Sequence, residues 1–233
     1  MEYNYDASTK KDCWYLKICN QDDCDTEKFC IRHYKMSYLI NKALLEGKQQ
    51  YSIPLYPDDI DRNSFIRLKE IQNDIYNFVI DGKNLLIYSE QCGNGKTEWS
   101  KKLLLSWFNT IWHSSDFVCR GMFLSLPKLI QSMKENITKE NPYFQYVNEN
   151  IFTTDLIVWD EINYKEWSAY EQDFMLNVIS QRIASGKANI YTTNYSLAEI
   201  EKRLGARLNS RIVGSSELIE FKGKDKRGVN KNG

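Results

Sequence analysis

The stretch Leu85-Leu86-Ile87-Tyr88-Ser89-Glu90-Gln91-Cys92-Gly93-Asn94-Gly95-Lys96-Thr97 decides how the rest of the chain is read. Its first five residues have the composition of a short strand buried on both faces. A glycine-containing turn comes next and opens a segment, from Lys96 to about Trp112, with helical spacing. Gly93 and Gly95 let backbone N–H groups turn inward around an anion. The helix N-terminus adds its positive end, Lys96 can reach β- and γ-phosphates, and the Thr97 hydroxyl can ligate Mg²⁺. Asn94 and Glu98 complete the run expected to touch nucleotide. The match to G-x-x-x-x-G-K-[ST] is incomplete, because Glu90 stands where the pattern has its first glycine. Taken alone, G-N-G-K-T is also compatible with an ordinary tight turn entering a helix.

Working outward, a second apolar strand, Leu156-Ile157-Val158-Trp159, ends in Asp160-Glu161. Parallel α/β sheets place their sites at such C-terminal strand ends. Four apolar residues followed by D-E resemble the Walker B motif of hydrolysing P-loop ATPases, a resemblance that implies Mg²⁺ held by Asp160 and an attacking water polarised by Glu161 as general base. A third strand, Ile190-Tyr191-Thr192-Thr193, ends in Asn194. Asn194 can orient that water, although an Asn before Ser196 also suits a turn entering a helix. Arg207 and Arg211 then lie four residues apart, on one face if the segment is helical.

Between these points the pattern alternates. Ser64 to about Gly82 reads as a helix with Phe65, Leu68, Ile71, Ile75 and Phe78 on one face. Phe117 to Leu126 is strand-like, Pro127 to Lys134 helix-like, Glu166 to Ser185 a long helix, and Leu218 to Phe221 the last strand. The expectation is an α/β fold with a parallel five-stranded sheet covered on both faces. Pro54 and Pro57 with the acids after them mark a connector. The division expected is a Cys-rich module at 1–48, a linker at 49–63, the sheet domain at 64–222 and a polar tail at 223–233.

The whole chain has 233 residues with 31 basic and 31 acidic side chains, so global positive charge gives no argument for nucleic-acid binding. It has no apolar run of the roughly 18 residues a membrane helix needs, and its first residues do not read as a signal peptide. A cytoplasmic, reducing location is the expectation, and there metal binding by cysteine outranks disulfides. Cys13, Cys19, Cys24 and Cys30 are spaced C-x5-C-x4-C-x5-C, with His33 close behind. Four thiolates suit tetrahedral Zn²⁺, His33 can replace one, and buried free cysteines are the competing reading. Lys128, Lys134 and Lys139 beside Tyr143, Phe144 and Tyr146 sketch a single-stranded DNA path. Solvated lysines over core aromatics explain the same residues more simply.

The ordered set G-N-G-K-T, I-V-W-D-E, T-T-N and R-L-G-A-R-L-N-S-R over residues 64–222 resembles the DnaC/IstB-type AAA+ family, and phage-encoded helicase loaders in particular. The resemblance implies an ATP- and Mg²⁺-dependent ATPase without a lid domain. Its catalytic residues would be Lys96, Glu161, Asn194 and Arg211. Its nucleotide contacts would come from Gly93, Asn94, Gly95, Lys96, Thr97, Glu98 and Asp160, with Thr97 and Asp160 as Mg²⁺ ligands. Ser210-Arg211 resembles the pair whose arginine reaches a neighbouring subunit's ATP, with Arg207 the second choice, so self-association is implied. The partners implied are a hexameric replicative helicase and single-stranded DNA, with the Cys-rich front as docking surface. An IstB-type transposition helper shares the same core. A P-loop kinase and a zinc-dependent ATP-binding adaptor are the readings from other classes.

Overall fold

The computed structural model describes residues 31–45, 55, 57–162 and 165–226. Cys13, Cys19, Cys24 and Cys30 lie outside the described residues, as do the first residues of the expected linker. The elements in order are α1 (Ile31–Lys42), α2 (Arg62–Asn73), α3 (Ile75–Ile80), β1 (Asn84–Tyr88), α4 (Lys96–Ile111), β2 (Gly121–Ser125), α5 (Leu126–Thr138), α6 (Pro142–Asn150), β3 (Leu156–Asp160), α7 (Ala169–Ala184), β4 (Ala188–Thr193), α8 (Leu197–Ile212) and β5 (Ser216–Glu220). The five strands form one parallel sheet in the order β2-β3-β4-β1-β5. This is the α/β architecture expected from the alternation, and β4 sits between the two strands that carry the glycine turn and the acidic pair.

The side-chain period of two sends the strand residues to opposite layers. Leu85, Ile87, Val158 and Ile190 join Trp99, Leu103 and Leu104 of α4 in one core. Leu86, Ile157, Trp159 and Tyr191 join Leu129 of α5, Met175 of α7 and Leu204 of α8 in the other. All residues of β3 and β4 are buried, which is why these strands read as continuous apolar runs.

Several boundaries differ from the sequence expectation for identifiable reasons. The helix expected from Ser64 to Gly82 is two, because the backbone leaves helical geometry at Asp74 (φ −110°, ψ 31°). α7 begins at Ala169, where Ser168 and Glu171 form a reciprocal capping box. α6 was not anticipated; Asn141 caps it and Pro142 occupies its first turn. α8 breaks at Gly205, whose φ of 74° suits glycine. α1, assigned by sequence to the front module, packs on the sheet domain. Met36, Leu39, Ile40 and Ala43 are buried in the α4 core, and the Ala43 carbonyl accepts from Phe123 N at 2.8 Å. Residues 223–226, expected to belong to the polar tail, are also held against the domain, where the Gly223 and Lys226 amides donate to the Asp61 carboxylate and the Gly93 carbonyl.

The end of the sheet opposite the acidic pair is fixed by Arg182, which is fully buried. It donates to the carbonyls of Ile151 (2.6 Å), Thr154 (2.9 Å) and Ala188 (2.8 Å) and to Asn189 Oδ1 (2.8 Å). Burial lowers its pKa to about 10, so it stays charged at neutral pH. Arg182→Met would leave these acceptors without their donor. We predict a loss of about 3 kcal/mol in urea denaturation, the cost of buried groups losing a charged partner; a loss under about 1 kcal/mol would contradict this role.

Candidate nucleotide site

β1, β3 and β4 end on the same edge of the sheet, and the residues just beyond each strand form the site. After β1, Ser89 still pairs with β4, its N–H donating to the Thr193 carbonyl at 3.2 Å. Its hydroxyl then accepts from Gln91 N (2.9 Å) and Asn94 Nδ2 (2.7 Å), drawing residues 89–94 into a closed turn. Gly93 (φ 71°) and Gly95 (φ 105°) take the left-handed backbone that the turn requires. A Cβ on Gly95 would also lie 3.1 Å from Leu55 Cδ2. Asn94 is fully buried and Lys96 nearly so. Lys96 Nζ donates back to Gln91 O (2.7 Å) and Asn94 Oδ1 (3.1 Å). The ammonium therefore spans the turn whose amides and helix end form an anion cradle.

The acidic strand end meets this loop directly. Asp160 Oδ1 accepts from Thr97 Oγ1 at 2.9 Å and from Thr192 Oγ1 at 2.6 Å. Thr192 also receives the Glu161 N–H at 3.1 Å on its hydroxyl and the Ile162 N–H at 3.0 Å on its carbonyl. These two bonds hold Glu161 in a left-handed conformation (φ 60°) that a non-glycine residue adopts at a cost.

Three carboxyl groups crowd this edge. Burial raises the Asp160 pKa, against the pull of the Thr192 and Thr97 hydroxyls and of Lys101 and Lys96. Partial desolvation and then the Asp160 charge raise Glu161, with Lys96 opposing. Burial raises Glu98 as well, with Lys101 opposing from 3.8 Å. Such a set fits a divalent cation and phosphate. Oxygen donors from Thr97 and Asp160 suit Mg²⁺, which keeps most of its shell for water and phosphate.

The structure thus brings Gly93, Asn94, Gly95, Lys96, Thr97, Glu98, Asp160 and Glu161 to one edge. Asn194 comes directly after β4 on that edge and is half-buried. Arg207 and Arg211 lie beyond the Gly205 break, exposed, while Leu208 and Ile212 of the same turns face the core. Thr192 is not singled out by the sequence, because its place beside Asp160 depends on the strand register. In parallel strands the register Val158↔Ile190 puts Thr192 beside Asp160. Lys101, one turn beyond Glu98, is not singled out either.

Lys128, Lys134 and the aromatics of the expected single-stranded DNA path have partners within the domain. Lys134 pairs with the buried Glu171 at 3.0 Å, and Lys128 lies over the Tyr143 ring at 4.6 Å. Phe144 packs against Phe174, and Tyr146 OH donates to the Lys42 carbonyl. These aromatics serve packing, the simpler of the two readings. His33 falls within α1, and among the described residues no cluster of three or more His, Cys, Asp or Glu is placed to hold a metal ion. Among the described residues no helix is long and apolar enough to cross a membrane.

No protein-family profile matches the chain. Replicative helicase loader DnaC of Escherichia coli (strain K12) is 22% identical over 158 residues, 66% of this chain and 57% of that protein. The chain thus spans a little over half the length of the curated relatives it matches. A crystal structure of the DnaC helicase loader superposes with a TM-score of 0.61 at 21% identity, over 76% of this chain and 100% of that one. AMPPCP-bound DnaA from Aquifex aeolicus gives 0.58 at 19% identity, over 78% of this chain and 53% of that one. The likeness to these structures is one of fold.

The raised Asp160 pKa has a consequence for stability. When the folded pKa exceeds the unfolded one, the folded state holds more protons between the two, so stability falls as pH rises through that window. Asp160→Asn, which keeps an oxygen for both threonine hydroxyls, is therefore expected to raise the melting temperature of nucleotide-free protein at pH 7. The gain should shrink as the pH enters the carboxylate range. A lower melting temperature at pH 7 would contradict the electrostatic reading.

Proposed function

We propose that this chain, DnaC-like in its sequence and of the AAA+ fold, binds and hydrolyses ATP and uses the cycle to load a hexameric replicative helicase onto single-stranded DNA in phage or bacterial replication. The observation that carries the ATPase reading is the Thr97–Asp160 hydrogen bond of 2.9 Å. It joins the glycine turn to the acidic strand end across 63 residues of sequence.

In this reading the turn amides and the α4 N-terminus receive the β- and γ-phosphates, and Lys96 exchanges its loop acceptors for phosphate oxygens. Thr97 and Asp160 would hold Mg²⁺, which supplies charge neutralisation at the phosphates when bound. Glu161 takes the proton of the attacking water on its carboxylate. Its raised pKa suits a base, because it strengthens proton acceptance. Thr192 fixes the backbone from which Glu161 projects, and Asn194 orients the water. Arg211, exposed on α8, acts on the ATP of a neighbouring copy, where its planar fork binds phosphate.

The loader assignment rests on the DnaC sequence match. The Cys-rich front, with Cys13, Cys19, Cys24 and Cys30 or His33 around Zn²⁺, is proposed as the helicase-docking module. Atomic absorption should find one zinc per chain, and a zinc-free, folded protein would remove that part of the reading. Single-stranded DNA contact has weaker support, since Lys134 is engaged with Glu171.

Glu161→Gln is expected to bind ATP as the wild type does and to lose at least about 100-fold in turnover, the scale of a missing general base. Unchanged turnover would sink the assignment. Arg211→Ala should also be slow, but mixing it with Glu161→Gln should restore turnover. The first variant keeps its own base and the second supplies the arginine in trans. Absence of rescue would count against a shared site. A pull-down with a hexameric replicative helicase tests the loader step.

A further inference from the structure

The segment after β5 does not leave the domain. Phe221 N donates to the Tyr88 carbonyl at 2.9 Å and its ring stacks on Phe65 at 5.2 Å. The next two amides converge on one carboxylate. Lys222 N reaches Asp61 Oδ1 at 2.7 Å and Gly223 N reaches Asp61 Oδ2 at 2.9 Å. Asp61 has no exposure to solvent, so this pair of backbone donors replaces its water. Further on, Lys226 N donates to the Gly93 carbonyl at 2.9 Å, inside the glycine turn. Lys226 Nζ lies 3.7 Å from Asp58 Oδ2 and 5.1 Å from the Phe65 ring centroid.

We propose that residues 221–226 are a strap, anchored by the buried Asp61 carboxylate, that positions the glycine turn for nucleotide, with Asp61 and Gly223 as positioning residues. The inference rests on the nucleotide-site reading and adds to it residues that lie outside the loop and the acidic strand end.

The geometry explains how a contact on the outside of the turn acts on its inside. A trans peptide unit is planar, and its C=O and N–H point in opposite directions. Fixing the Gly93 carbonyl toward Lys226 N therefore fixes the Asn94 N–H to point away from the strap. Gly93 sits at φ 71°, in a backbone region with wide freedom for glycine. An external bond is thus an effective way to choose one orientation of this peptide. Glycine suits position 223 because a Cβ there would press on the Asp58 carboxylate and lie 2.5 Å from Oδ2 of the buried Asp61. Any larger residue must lift the strap or displace its anchor.

The test compares full-length wild type, Gly223→Ala, Lys226→Pro and Asp59→Asn. Lys226→Pro removes the N–H that holds Gly93 together with the Lys226 side chain, whose own contribution Lys226→Ala measures, and it serves if Gly223→Ala folds poorly. Asp59→Asn breaks an exposed ion pair with Arg62 and is the control. Binding of a fluorescent ATP analogue is titrated at a temperature where circular dichroism shows each protein folded, and hydrogen exchange of amides 91–95 is followed without nucleotide. Both strap variants should bind about tenfold more weakly, the scale of one lost hydrogen bond in a preorganised site, with faster exchange in the turn. Asp59→Asn should match wild type in both. Wild-type affinity and unchanged exchange in the strap variants would overturn the proposal, as would a lower melting temperature with neither readout altered. Lys96→Ala separates the two claims. If it binds the analogue normally, the nucleotide reading fails, and the strap is then judged by exchange in the turn alone.

Discussion

Asp160 Oδ1 accepts hydrogen bonds from Thr97 at the start of α4 and from Thr192 near the end of β4. One buried carboxylate thereby joins the helix that leaves the glycine turn, the acidic strand and the strand between them. A charge in this position is unfavourable unless its lone pairs are satisfied, and two hydroxyls do so without neutralising it. The residual cost appears as the raised pKa. In the proposed site a bound cation would offset that cost. Most of the functional geometry derives from this constraint. Thr192 can serve Asp160 only in the observed β3–β4 register, and the same hydroxyl then receives the Glu161 amide and sets its left-handed turn.

The two ends of the sheet are held differently. At the end away from the site, Arg182, Asn189, Asn84 and Trp159 form a buried network with every bond short and directed. At the site end, Lys96 has loop acceptors that phosphate oxygens can replace, and burial raises the pKa of the carboxyl groups against their partners. Rigidity is placed below the chemistry, and exchangeable bonds are placed at it. The strap from β5 to Gly93 extends the rigid part around the outside of the turn.

The core of this arrangement was legible in the sequence because it depends on local pattern. Apolar runs without alternation announced buried parallel strands, and the positions of G-N-G-K-T and D-E at strand ends gave the site's two halves. The resemblance those motifs carry agrees with the fold and with the DnaC match. The less legible features depend on non-local partners. Nothing in the order T-T-N says that the first of its threonines faces Asp160; that needs the strand register. Asp61 and Gly223 lie 162 residues apart, and neither is in an apolar period, so the strap read as tail. α1 read as part of a separate module because its neighbours are polar and Cys-rich, yet Met36, Leu39 and Ile40 were available to pack on α4. The Gly205 break was signalled only by a glycine in a helical pattern, and the roles proposed for Asn194 and Arg211 rest on resemblance.

The ATP cycle proposed for this chain depends on a metal-linked nucleotide site built from Lys96, Thr97 and Asp160. Calorimetric titration of the wild-type protein with ATP, once in Mg²⁺ and once in a chelator, addresses that dependence without any substitution. The expected result is one ATP per chain in Mg²⁺, with affinity weakened at least about tenfold when the metal is withheld and the Asp160 carboxylate faces phosphate uncompensated. Absence of binding, or equal affinity with and without the metal, would contradict it.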